Sequence, residues 1–472
     1  MLPIAENYAI FPSVVRADQP TDMVIVPREK AFLFFSGEEY RLTVISLNSD
    51  EISYYSPTTH THLSAVAEDG VLRFSYTFPD EQEHLILLEY GEKKLQEFHV
   101  FSLHEDLYRL RPLRGDLHSH SYRSDGKRDP AALAGHFREQ GYDFFALTDH
   151  NRYYPGGEID ETYDGVKLGI VRIKGEEVHA PGSVVHIVHV GGKSSVTDLY
   201  VHDVDGFERE ITEQYLPRVP SDIPERYAER YAKAIWATDK IHAAGGLAIF
   251  PHPFWIPGKS NVFNVCDEFA RILLNSGMFD AFELLGGCSQ PNQNRTVAFW
   301  GDLRAEGLRI PVVGSSDVHG MEKSHTFPHL FTVCFAAEKE HDAVIDAVRL
   351  GNSVAVEATD TEYDRHYRAY GSLRLVTYTQ FLLQNYFPKL QRVCQGEGIA
   401  MRAYAIGEAD ASLIEAQVAQ SEHFSARFFG KEPPVLPNAE ILSFEEKWRA
   451  VHLEGPLTKG SSISAPPVTR QI

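Results

Sequence analysis

Residues 129–151 read DPAALAGHFREQGYDFFALTDHN, and the grammar of this stretch decides the fold. Asp129 can accept hydrogen bonds from the first helical N–H groups, and Pro130 suits the first helical position, so a helix opens here. Leu133 and Phe137 give it an apolar face, and Gly141 supplies its stop. Residues 142–147 then read as a strand, and Thr148-Asp149-His150 follow at once. Helix, strand and then ionisable residues is the order of an α/β protein whose site is built at strand ends.

The same order recurs on both sides. Upstream, a strand from Arg114 leads to Asp116-Leu117-His118-Ser119-His120 and then Ser124-Asp125-Gly126. Downstream, residues 171–174 precede Gly175-Glu176-Glu177, and a strand over 183–190 carries His186 and His189. A long helix over 224–244 stops at Gly245-Gly246, and a strand over 247–250 delivers Pro251-His252-Pro253. Helix 262–276 leads into strand 279–285. Helix 295–306 leads into strand 309–313 and then Ser315-Ser316-Asp317-Val318-His319. Helix 342–350 and strand 353–358 close the series. Units of this length predict a parallel sheet, and the span 114–358 matches the ~250 residues typical of a barrel. Donors arriving from so many strands favour a barrel over an open sheet.

The flanks read differently. Residues 1–110 carry closely spaced β-runs at 31–35, 40–45, 72–78, 84–89 and 97–101, which predict a β-sandwich-like domain with a packing or oligomerisation role. An insertion at about 192–226 contains YLPRVPSDIPERY and reads as a lid, a substrate loop or a surface elaboration. Residues 361–472 predict a mainly helical C-terminal extension, clearest at 378–387 and 411–420, with a flexible tail over 455–472. The expected domains are 1–110, 111–360 and 361–472.

Composition narrows the function classes. With 472 residues, 43% hydrophobic content and a net charge of −21, the chain fits a soluble globular protein of two or three cores. An acidic surface disfavours nucleic-acid polymers, but a bound cation can invert the local field for a small anion. No apolar run approaches the ~18–20 residues that span a bilayer, and the N-terminus lacks a signal-peptide pattern, so a cytoplasmic protein is expected. The four cysteines (Cys266, Cys288, Cys334, Cys394) form no CxxC pair and read as small buried residues in a reducing compartment. No phosphate-loop or dinucleotide glycine fingerprint appears, which argues against a nucleotide-driven reaction.

The chemistry lies between Asp116 and His319. Alternate residues in extended backbone point the same way, so His118 and His120 can converge on one ion, and Asp317 and His319 repeat the pattern. A lone HxH or Asp-His pair is often structural; the weight comes from their joint occurrence after successive strands. Gly126 allows a turn that aims Asp125 inward. His252, between two prolines, is expected in a stiff extended loop. Glu177 or its neighbour Glu176 can supply a bridging carboxylate, and the other then points away. His186 and His189 differ by an odd number of positions, so at most one faces the site. So many imidazoles and carboxylates in one cavity are costly unless cations neutralise them. A bound cation lowers the pKa of its water toward ~7 and yields a hydroxide nucleophile.

These motifs, DLHSH, SDG, TDHN, GEE, PHP and SDVH in this order, resemble the PHP (polymerase and histidinol phosphatase) family over residues 113–358. The resemblance implies a distorted (β/α)7 barrel with two or three divalent metal ions. His118, His120, Glu177 and Asp317 would hold one ion. Glu177 would bridge to a second, shared with His252 and His186, because the family places that histidine before a short apolar run ending in glycine. Asp125, His150 and His319 would hold a third. Zinc, manganese or iron is implied, with magnesium less favoured, and the acid at Asp125 weighs against zinc at that position. Phosphate-ester hydrolysis of a small phosphorylated substrate follows from the resemblance, with Glu177, Asp317 and His319 in catalysis. Arg152, Lys127 and Arg295 are candidate phosphate contacts. Two alternatives stand beside it: an amidohydrolase-like hydrolase of C–N or C–O bonds, and a non-catalytic metal-stabilised binding module. Homo-oligomerisation is left open.

Overall fold

The computed structural model describes residues 6–48, 60–258, 260–321, 324–361 and 364–452, so the tail expected over 455–472 lies outside the described residues. The chain divides into two units, residues 1–108 with 423–472 and residues 109–422, and the C-terminal helices are thus shared between them.

In the first unit, alternating side chains make strands. Gln82, His84, Ile86 and Leu88 are buried on one face of their strand while the residues between them are not. The strands are β1 (Tyr8–Phe11), β2 (Val14–Arg16), β3 (Pro20–Pro27), β4 (Glu39–Ser46), β5 (Thr61–Glu68), β6 (Val71–Thr77), β7 (Gln82–Tyr90) and β8 (Lys93–Leu103), paired in the order β1-β3-β6-β5-β4-β7-β8-β2. Ile25, Leu42, Leu72, Ile86 and Val100, from strands along the whole run, share one core, so the sheet folds over itself. Tyr8 N donates to Gln96 Oε1 at 3.0 Å and joins β1 to β8. The expected strand at 31–35 is instead a 3-10 turn, Lys30–Phe32, followed by coil that buries Leu33 and Phe34. Burial alone accounts for its apolar residues, without strand pairing.

In the second unit, the strands are β9 (Arg111–Asp116), β10 (Phe144–Leu147), β11 (Val171–Val178), β12 (Ile187–Val190), β13 (Leu247–Phe250), β14 (Ala281–Leu285), β15 (Val312–Gly314), β16 (Leu330–Ala336), β17 (Ser353–Asp360) and β18 (Arg365–Tyr370). They form one sheet in the order β15-β14-β13-β12-β11-β10-β9-β16-β17-β18. The sheet is nearly closed and barrel-like. Beyond β9, Asp317 N donates to His118 O at 2.9 Å and His120 N to Val318 O at 3.0 Å, while Thr332 Oγ1 bonds both N and O of Gly314. The expectation of a parallel sheet needs correction in two places. β12 runs antiparallel to both β11 and β13, because the short connection after β11 cannot carry a crossover. β16, β17 and β18 are also antiparallel to their neighbours. The helix His341–Arg349 lies between β16 and β17 and packs Val344, Ile345, Ala347 and Val348 against Leu113, Ile173, Leu247 and Ala336, closing the floor.

Around the sheet, Asp129 caps the helix Pro130–Glu139 by accepting from Ala131 N and Ala132 N, and Gly141 has φ +79°. This helix packs against Phe387–Ala405, where a Cβ on Gly398 would lie 2.4 Å from Gly135 O, so glycine is required for the close approach. Arg138 and Glu397 are buried there as an ion pair at 2.6 Å, and Gly169 N and Ser421 Oγ fill the remaining partners. The insertion is a packed layer: Tyr200, Phe207, Ile211 and Tyr215 are buried with Tyr231 and Trp236 of the helix Glu225–Ala243. All four cysteines are free, and Cys266 is exposed rather than buried, at the position that precedes the helix Asp267–Asn275, with its Sγ 3.2 Å from Tyr227 Oη. Among the described residues no helix is long and apolar enough to cross a membrane.

Two outcomes follow from this packing. Removing one partner of a buried ion pair strands the other charge, so Glu397→Ala should cost about 3–5 kcal/mol, read as a lower urea midpoint of the barrel unit. In the β unit, burial lowers the His84 pKa to about 4 from the ordinary 6.5. The unfolded chain therefore binds the proton more readily, and stability present above about pH 6.5 declines as pH falls toward 4. Melting temperature should drop over that window in the wild type and less in His84→Gln; identical pH profiles would remove His84 as the source.

Candidate metal centre

Two adjacent glutamates on β11 face opposite ways, as extended backbone requires. Glu176 turns toward the insertion, where it meets His189 Nδ1 at 3.1 Å, Ser195 Oγ at 3.0 Å and the N–H of Val196. Glu177 turns into the mouth of the barrel and is fully buried. Its Oε2 lies 2.7 Å from His150 Nδ1, 3.3 Å from His118 Nε2 and 3.5 Å from His120 Nε2. Its Oε1 lies 2.8 Å from His186 Nδ1, 3.3 Å from His252 Nε2 and 3.4 Å from His179 Nε2. Each carboxylate oxygen thus faces three imidazoles.

Asp317 Oδ1 stands 2.9 Å from His120 Nε2 and 3.3 Å from His118 Nε2. At the rim, Asp125 Oδ1 lies 3.4 Å from His150 Nε2 and 3.2 Å from His319 Nε2. Donor atoms of His120, Asp125, His150 and His319 fall within 4.8 Å of one another, as do those of His118, His120 and Glu177, and those of Glu177, His186 and His252. These sets could hold metal ions. The contacts are short, yet both Glu177 oxygens, Asp317 Oδ1, His150 Nδ1 and His186 Nδ1 are buried without a hydrogen-bond partner. Lone pairs that converge without pairing fit a cation at the point of convergence.

The electrostatics agree. Burial would raise Glu177, but His118 and His150 beside it hold its pKa well below the usual carboxylate range. Burial would lower His118, but Asp317, Glu283 and Glu177 raise it well above 6.5. His150 is likewise raised to about 10 against its burial by Asp125 and Glu177. Burial prevails at His120 and His186, which fall to about 4.

The backbone holds these groups at a cost. Asn151, His252 and Asp317 have φ of +52°, +21° and +49°, a left-handed region worth ~1–3 kcal/mol of strain for such residues. His252 was expected to be extended; it turns instead, with φ +21° against the extended backbone that Pro253 favours in its predecessor, and Trp255 N donates back to His252 O at 3.0 Å. Asp116 accepts from His118 N and Ser316 N, tying the first and last motifs together. Burial raises its pKa to about 7.

The structure brings His118, His120, Asp125, His150, Glu177, His186, His252, Asp317 and His319 together, and sends His189 to Glu176. Among the candidate phosphate contacts, Arg152 is exposed and donates to Arg123 O, and Lys127 is exposed near Asp125. Arg295 is committed elsewhere: it pairs with Asp267 and lies over Phe254 and Phe263. Two residues escaped sequence reasoning. Glu283, inside apolar β14, meets His118 Nδ1 at 2.9 Å and so directs Nε2 inward. His179 stands two positions after Glu177, and that even spacing was its available signal.

No protein-family model and no curated protein matches the chain. Solved structures similar to it include a two-domain protein from Bacteroides vulgatus containing a predicted PHP-like metal-dependent phosphoesterase, 17% identical, covering 56% of this chain and 76% of that one, with a TM-score of 0.37. A protein from Bifidobacterium adolescentis, provisionally assigned as a metal-dependent phosphoesterase, is 18% identical, covering 45% of this chain and 91% of its own, with a TM-score of 0.33. An amidohydrolase from Chromobacterium violaceum, with bound sulfate and no metal, is 17% identical, covering 45% and 89%, with a TM-score of 0.30.

Because Glu283 orients His118, Glu283→Gln should weaken metal affinity ~10–100-fold in a chelator-competition titration, and unchanged affinity would assign Glu283 a packing role only.

Proposed function

We propose that the barrel unit is a metal-dependent phosphoesterase acting on a small phosphorylated substrate at a centre of two or three divalent ions. The observation that supports this reading is Glu177, whose two buried oxygens each face three histidines. His118, His120, Glu177 and Asp317 would hold one ion, Glu177, His186 and His252 a second, and Asp125, His150 and His319 a third, with zinc, manganese or iron preferred by this mixture of imidazole and carboxylate. Ions bound there supply Lewis acidity toward phosphoryl oxygens and acidify a water.

The chain's own groups do the rest. Glu177 fixes the spacing between the two inner positions. Asp317, with 13% of its side chain exposed, is open enough to the mouth to take a proton from incoming water. His319 is held through Nδ1 by Asp317 O at 2.8 Å, so Nε2 is its working nitrogen: it serves the third ion where three are bound, and passes a proton to solvent or to a leaving group where only two are. Arg152 is the cation nearest in sequence to the His150 rim that remains exposed for a phosphate. The β unit is read as a packing or oligomerisation module.

Metal analysis of protein purified without added metal, followed by chelation, reloading and a panel of phosphomonoesters, phosphodiesters and cyclic amides, tests this. Turnover confined to phosphate esters and abolished by chelation is expected, with Asp317→Asn lowering kcat by ~10²–10⁴-fold, the span of a lost acid–base group. Turnover of the amides alone, or less than one bound ion with no turnover under any supplement, would overturn the proposal.

A further inference from the structure

The turn that delivers His252 runs on into Phe254-Trp255-Ile256, and Trp255 belongs to none of the ligand positions named above. Phe254 is buried, whereas Trp255 is half-buried and Ile256 is 40% exposed. The indole of Trp255 lies 5.7 Å from the ring of His186 and 6.0 Å from that of His252, centroid to centroid. Those two imidazoles approach Oε1 of Glu177 at 2.8 and 3.3 Å. A flat apolar surface, partly open to solvent, therefore flanks the histidine pair at this end of the centre.

Backbone bonds hold that surface in place. Trp255 N donates to His252 O at 3.0 Å, Asn264 N to Trp255 O at 2.8 Å, and Val265 N to Pro253 O at 2.9 Å. Asn264 Nδ2 donates to Val184 O at 2.8 Å and so ties the turn to the connection that carries His186. An indole that serves packing usually spends its N–H on an acceptor, as Trp236 does in the core of the insertion, where Nε1 donates to Glu210 Oε2 at 2.9 Å. Among the described residues Trp255 Nε1 makes no hydrogen bond. The two ends of the mouth also differ in character. The rim at Asp125 and His150 has exposed Lys127 and Arg152 beside it in sequence, whereas the end at His186 and His252 carries an indole and an isoleucine.

We propose that Trp255 determines specificity: its indole receives the leaving group of the substrate, which is the phosphate ester of a flat aromatic alcohol. This inference rests on the phosphoesterase reading above and deepens it by naming the substrate class. A phosphate bound at the end formed by His186 and His252 leaves its organic part beside the indole, where an offset or edge-on contact between rings is favourable. The unspent N–H is a donor for an acceptor atom on that ring. The reaction itself is hydrolysis: the oxygen of water bonds to phosphorus, the bond from phosphorus to the ring oxygen breaks, and that oxygen leaves with one proton as a phenol.

The test uses the metal-loaded full chain as wild type, Trp255→Ala and Trp255→Phe. Phenyl phosphate and glycerol 1-phosphate serve as substrates, and phenylphosphonate and methylphosphonate as ligands that are not hydrolysed. A ring contact of this kind adds up to about tenfold in affinity beyond the area it covers, so Trp255→Ala should raise KM for phenyl phosphate and Kd for phenylphosphonate about tenfold. The values for glycerol 1-phosphate and methylphosphonate should hold, kcat should hold because the contact is the same before and during bond breaking, and Trp255→Phe should restore most of the loss. Equal changes for the aromatic and aliphatic compounds, or none for either, would overturn the inference and leave the phosphoesterase standing. A wild type that hydrolyses no phosphate ester would overturn both. Should Trp255→Ala fail to fold, a crystal of the wild type with phenylphosphonate decides: a phenyl centroid ~4.5–7 Å from that of the indole supports the assignment, and a ring directed elsewhere overturns it.

Discussion

A carboxylate removed from water must be neutralised by what surrounds it, and Glu177 imposes that condition on the whole barrel mouth. Its two oxygens cannot be satisfied from one strand, because one strand presents only alternate side chains to one face. The partners come instead from the ends of β9, β10 and β11, from the approach to β12, and from the turn after β13. Each of those segments is fixed by its own bonds, including Asp116 to Ser316 N and Asn151 N to Glu177 O. The left-handed backbone at Asn151, His252 and Asp317 is the strain left over when several chain segments must meet at one side chain.

The reversed strand β12 explains a detail that a uniform parallel barrel would not. Parallel strands deliver the residues that follow them to the mouth, whereas a reversed strand delivers the residue that precedes it. His186 stands immediately before β12, and His189, within the strand, is paired with Glu176 on the other face. The floor is sealed by apolar side chains of His341–Arg349, so the polar groups are concentrated at one end of the sheet and the apolar ones at the other.

Much of this was legible in the sequence, for physical reasons that also mark where it stopped. His118, His120, His150, His252, Asp317 and His319 come shortly after strands and Glu177 lies near the end of β11, and period-two backbone makes their convergence readable. Parity alone separated His186 from His189 but could not say which faced inward, since that depends on the direction of β12. Glu283 was hidden because a single acid in Phe282-Glu283-Leu284 looks like part of an apolar strand until its partner, His118, arrives from far away in sequence. The direction of β16 and β17 was likewise illegible, because a nine-residue helix can run along a sheet or cap its end, and only packing decides. The apolar run at 31–35 imitated a strand because coil can bury Leu33 and Phe34 equally well.

The connection between β11 and β12 carries a histidine at each foot, and their rings are stacked. Closing so short a loop removes little chain entropy, so gripping both feet would do little for the stability of the whole unit. Its effect is local. If His186 holds the ion proposed for it, this hairpin could not fray without releasing that ion, so opening and release would become a single event. Amide exchange in residues 180–185 would then report ligand concentration, while the rest of the sheet exchanged as before.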